Sequence, residues 1–123
     1  MLTNINRFMR KEKLISYQKY FSESDFWKKL SKVAINLGRE TVYYALVLYY
    51  VLMSPNVSLG NKAIIMGALG YLILPIDLIP DAVPLLGLTD DAGAIKLAYD
   101  TVKVSVTPQI KQQAEQRLAS WFS

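Results

Sequence analysis

The run Thr41–Met53 (TVYYALVLYYVLM) carries no charged residue and is apolar around the whole circumference of a helix. A helix with no wet face has to be surrounded on every side, either by lipid or by the rest of its own chain. Ser54, Pro55 and Asn56 break the run, and Val57 to Lys62 form a polar turn in which Ser58 is available as the next N-cap. A second apolar stretch, Ala63 to Ile76 (AIIMGALGYLILPI), follows at once. Its small residues Ala63, Gly67 and Gly70 let a neighbouring element approach closely. The two stretches together predict a short helical hairpin.

Thirteen residues make about 20 Å of helix, whereas a hydrocarbon core takes about 30 Å and roughly 20 residues. Two stretches in tandem, with Tyr43, Tyr44, Tyr49, Tyr50 and Tyr71 as amphipathic rings suited to headgroup depth, nevertheless favour a membrane hairpin over a soluble bundle. Its arms are expected at about 34 to 53 and 58 to 76, lengthened by placing Asn36, Arg39 and Lys62 near the interfaces. The soluble alternative requires the remaining helices to cover Thr41–Met53 completely.

The chain has 123 residues, no cysteine and no histidine. One domain is the expectation at that length. Thiolate and imidazole zinc sites, haem ligation, disulfides and His-activated nucleophiles are all excluded. Residues 1 to 40 carry nine Lys or Arg against four acids, net +5, while residues 41 to 123 carry five against six, net −1. A basic segment ahead of apolar helices suits anionic lipid headgroups and the cytoplasmic side of a membrane. Nucleic acid is not expected as a partner, because Phe8, Met9, Phe26, Trp27 and Leu30 share the basic stretch and no nucleic-acid motif accompanies them. The apolar core around Leu14 and Ile15 is too short for a signal peptide, so the N-terminus is expected to be retained.

Outside the apolar stretches the periodicity is amphipathic. A short basic helix could start around Asn4. With Ser24 as N-cap, Phe26, Leu30, Val33 and Leu37 form a stripe that leads directly into the Thr41–Met53 helix. Later, Leu88, Ala92, Ile95, Tyr99, Val102 and Val106 recur at alternating spacings of four and three behind Thr89 as N-cap. Thr107 followed by Pro108 opens a last helix with Ile110, Ala114, Leu118 and Trp121 or Phe122 on one face. The expected organisation is one all-α domain. A basic amphipathic segment (1–40) precedes a core (41–106) of apolar hairpin and Pro/Asp-rich turn, and an amphipathic helix (107–123) closes it.

The segment Leu74 to Asp91 (LPIDLIPDAVPLLGLTDD) bears the candidate site. Pro75, Pro80 and Pro84 each remove an N–H and turn the chain, and Asp77, Asp81, Asp90 and Asp91 place four carboxylates within fifteen residues. Burying them uncompensated costs several kcal/mol each in nonpolar surroundings. They could cap turns and helix starts, pair with Arg39, Lys62 or Lys96, or hold Mg²⁺ or Ca²⁺, which take oxygen ligands without His or Cys. Capping is the reading preferred here, with no resident cofactor.

The pattern Pro75-x-Asp77-Leu-Ile-Pro80-Asp81-x-x-Pro84-x-x-Gly87-x-x-Asp90-Asp91, preceded by Ala68-Leu-x-Tyr71, resembles the YkvA-like domain of unknown function over roughly Tyr43 to Tyr99. The resemblance implies a small helical, membrane-associated, multi-pass protein with no assigned catalysis, and it supplies no catalytic residue. The expectation is therefore a non-enzymatic membrane protein with a scaffold or interaction role. Its basic N-terminus would be cytoplasmic, its partners anionic lipids and either a second protein or another copy of itself. The alternatives are a soluble helical binding module and cation-dependent ion or phospholipid handling through the four aspartates.

Overall fold

A computed structural model describes residues 14–55, 57–73 and 91–122, apart from the side chains of Asn36, Asp91 and Ala92. A 3-10 helix at Ser16–Tyr20 precedes α1 (Glu23–Leu37), α2 (Arg39–Leu52), α3 (Leu59–Ile73) and α4 (Asp91–Val102). A 3-10 turn at Lys103–Ser105 then leads into α5 (Pro108–Trp121). The all-α class holds, and the described residues contain no strand.

Local chemistry sets the boundaries. Thr107 Oγ1 accepts the N–H of Ile110 at 3.2 Å with Pro108 in the first turn, and Ser58 Oγ accepts the N–H of Asn61 at 3.1 Å. Both caps are as expected. The first long helix differs from expectation at both ends. Its cap is Ser22, whose Oγ accepts the N–H of Asp25 at 3.2 Å, and Ser24 lies inside the first turn. It also does not continue into the apolar run, because Gly38 stands between α1 and α2 with φ 89° and ψ 156°. That region of backbone space is open to glycine and strained for other residues, so a single residue ends one helix and starts the next.

Helix α2 is the axle of the molecule. It packs against α1, α3, α4 and α5. Ala45, Leu46, Val47, Leu48 and Tyr49 are all buried, and five consecutive positions at about 100° each go round the entire helix. Val42, Val51 and Leu52 extend the same burial. The remaining core comes from Phe26, Leu30 and Ala34 of α1, Ile64, Ile65, Ala68, Leu69, Tyr71 and Leu72 of α3, Ala94, Ile95, Leu97, Ala98 and Val102 of α4, and Ile110, Ala114 and Leu118 of α5.

The two uncharged helices, expected to face lipid tails, pack against the chain's own helices over most of their length. No helix among the described residues is long and apolar enough to cross a membrane. The cover that α2 needs on all sides comes from α3 and from the amphipathic stripes of α1, α4 and α5.

The small-residue face of α3 is filled from an unexpected direction. The N-terminal 3-10 helix lies along it, and a Cβ built on Gly67 would stand 2.7 Å from the carbonyl carbon of Leu14, one on Gly70 3.1 Å from that of Tyr17. Only hydrogen fits there. Tyr17 meets Tyr71 edge-on with centroids 5.3 Å apart, which locks the 3-10 helix onto α3.

Candidate functional site

Of the residues singled out from the sequence, Asp77, Asp81, Asp90, Pro75, Pro80, Pro84 and Gly87 lie outside the described residues. The basic helix expected near Asn4 and the Thr89 cap lie outside them as well. Asp91 opens α4, with its side chain also outside the description. No group of three or more Asp, Glu, His or Cys that could hold a metal occurs among the described residues. Two cations proposed as partners for those aspartates make ion pairs among the described residues. Arg39 reaches Glu115 at 3.6 Å, joining α2 to α5, and Lys96 reaches Asp100 at 3.5 Å within α4. Both pairs are largely exposed and contribute little to stability.

Several of the tyrosines proposed for headgroup depth make aromatic contacts within the fold. Tyr49 is buried, stacks on Phe26 at 5.1 Å and donates its hydroxyl to a carboxylate oxygen of Glu23. Burial foremost, and that hydrogen bond next, raise its pKa above the ordinary value near 10. Trp27 meets Tyr49 at 4.9 Å and Trp121 at 6.0 Å, and the Arg117 guanidinium lies 4.5 Å from the Trp27 ring, so α1, α2 and α5 close on one aromatic seam. Tyr44 packs on Tyr99 at 4.5 Å, joining α2 to α4.

What the structure does bring together is positive charge. Asp25, Lys28, Lys29 and Lys32 of α1, Tyr20 of the 3-10 helix and Ile73 at the end of α3 line an open groove of about 380 Å³. Capping at Ser22 fixes the register of α1. The stripe of Phe26, Leu30 and Ala34 then turns inward, which leaves Lys28 and Lys32 on the exposed side. Lys29 is half-buried between the two faces. None of the three makes an ion pair among the described residues. On the same exposed side, one turn from Lys32, Ile35 is 85% exposed. The lysines were legible as a basic stretch. The contributions of Tyr20 and Ile73 were not, because they depend on the 3-10 helix docking against α3.

Residues 61–97 match the family described as "Protein of unknown function (DUF1232)". The matched region takes in most of α3, the Pro/Asp motif and the start of α4. Neither a curated protein nor a solved structure matches the chain.

Proposed function

We propose that this chain is a non-enzymatic helical interaction module that works at an anionic membrane surface, held there peripherally by the outer side of α1. The observation that carries the reading is the conjunction of Lys28, Lys29 and Lys32, unpaired among the described residues, with an isoleucine that is 85% exposed beside them. Each lysine near an anionic leaflet contributes about 1 kcal/mol, so three supply about 3 kcal/mol, which is reversible binding. Insertion of Ile35 into the headgroup boundary adds apolar burial, and the basic residues before Leu14 add charge.

The YkvA-like motif supports membrane association, while the enclosure of α2 and α3 by protein favours attachment to the surface over passage through it. The same basic stretch with intervening Phe26 and Trp27 is less suited to nucleic acid, since both rings are turned into the aromatic seam instead of outward for base stacking.

Fractionation of cells expressing the intact chain tests this. The protein is expected in the membrane fraction at low salt and in the supernatant after a carbonate or high-salt wash. Release only by detergent would replace the peripheral reading with an integral one, and recovery with the cytosol at low salt would end both.

A further inference from the structure

We propose that the groove between the N-terminal 3-10 helix, α1 and the end of α3 is a binding site for the phosphomonoester group of a lipid headgroup. The inference rests on the membrane-surface reading and names the chemistry that surface must carry. Diffuse attraction needs only charge on a convex face. Here three elements converge on a concavity of about 380 Å³, the lower end of the size range of small-molecule sites.

Three lysines line the groove, Lys28 and Lys32 exposed and Lys29 half-buried, so that Lys29 has the narrower range of positions for its charge. Lysine ammoniums bind phosphate as point charges, and the Tyr20 hydroxyl adds a donor. Three lysines against one aspartate leave two positive charges, which a phosphomonoester near −2 at neutral pH neutralises and a phosphodiester does not. Ile73 forms the apolar wall, suited to the carbon side of a glycerol backbone, while Ile35 lies on the outer side of α1 where acyl chains would begin.

The test compares the intact chain on phosphatidylcholine vesicles carrying phosphatidic acid with vesicles carrying phosphatidylserine at equal surface potential. Preference for phosphatidic acid is expected to be roughly five- to tenfold, the worth of about one additional charge contact. Lys29→Gln should remove that preference, while its cost on phosphatidylserine vesicles should not exceed the roughly fivefold, about 1 kcal/mol, that any one lysine of this surface contributes. Asp25→Asn should raise affinity for both lipids and should not narrow the preference, because a more positive groove attracts the doubly charged group at least as strongly. Circular dichroism of each variant checks that the fold is retained, and Lys28→Gln with Lys32→Gln repeats the test at the two exposed positions.

Equal binding to the two vesicles would overturn the groove while leaving the membrane surface intact. A preference that survives all three lysine changes would do the same. Binding to neither vesicle, with glycerol 3-phosphate still shifting the NMR signals of Tyr20 and Lys29, would overturn the lipid source together with the surface reading. Tighter binding to single-stranded RNA than to either vesicle would likewise overturn it.

Discussion

Glycines at three positions of this chain carry opposite expectations, although two of them are helical and differ only in what lies opposite. In an exposed helix, Gly→Ala gains up to about 1 kcal/mol from backbone propensity alone. Gly60 in α3 faces open space, so Gly60→Ala should raise the thermal midpoint slightly. Gly67 is in the same helix against the backbone of Leu14 and Ile15, which cannot move aside as a flexible side chain would. Overpacking there costs about 1–3 kcal/mol and outweighs the propensity gain, so Gly67→Ala should lower the midpoint. Gly38→Ala meets no atom, yet this positive-φ, extended-ψ backbone costs about 1–3 kcal/mol for a residue with a Cβ. Urea unfolding of the three variants checks the signs, and a stabilised Gly67→Ala would show that the backbone of Leu14 and Ile15 does not pack on α3.

At the scale of elements, each cap is a separable contribution. Thr107→Ala removes the acceptor for the Ile110 N–H and should lower stability by about 1 kcal/mol in denaturant titration, whereas Thr107→Ser should cost a few tenths at most. An unchanged midpoint in Thr107→Ala would mean that α5 is held by its buried Ile110, Ala114 and Leu118 alone. That helix was readable from the sequence because its cap, its proline and its apolar stripe agree, and the start of α3 was readable because Ser58 stands in a polar turn ahead of an apolar run. The break between α1 and α2 was not, because a glycine in a helical pattern gives no sign of its φ until packing requires the turn. The choice of Ser24 over Ser22 failed because both are good caps two residues apart. Most consequentially, total apolarity of Thr41–Met53 was plain, while the identity of its surroundings was not, since lipid tails and packed leucine impose the same composition. The lysine groove was half readable: its charges are contiguous in sequence, but Tyr20 and Ile73 reach it only through the tertiary fold.

The whole molecule shows how such a small chain tolerates a fully apolar axle. Among the described residues no charged side chain is buried and no buried side-chain nitrogen or oxygen lacks a partner, so the polar groups that enter the interior are tyrosine hydroxyls. Tyr17, Tyr43 and Tyr49 all have pKa values raised above 10, in each case chiefly by burial, with neighbouring tyrosines or the carboxylates of Glu115 and Glu23 adding to the shift. The folded state therefore keeps protons that the unfolded chain releases near pH 10. Their contribution to stability is present in full below that pH and is lost as pH rises through the higher folded values. The thermal midpoint should be flat in this respect from neutral pH to about 9 and fall from about pH 10 upward. Tyr49→Phe separates this effect from general alkaline repulsion. It removes one of the three groups and the hydroxyl donated to Glu23, so it should cost about 1 kcal/mol at neutral pH and make the alkaline decline shallower. Circular dichroism melts across the range, paired with tyrosinate absorbance at fixed temperature, measure both quantities. If the wild-type chain and Tyr49→Phe declined in parallel, the buried hydroxyl at the α1–α2 seam would not be what couples alkali to unfolding.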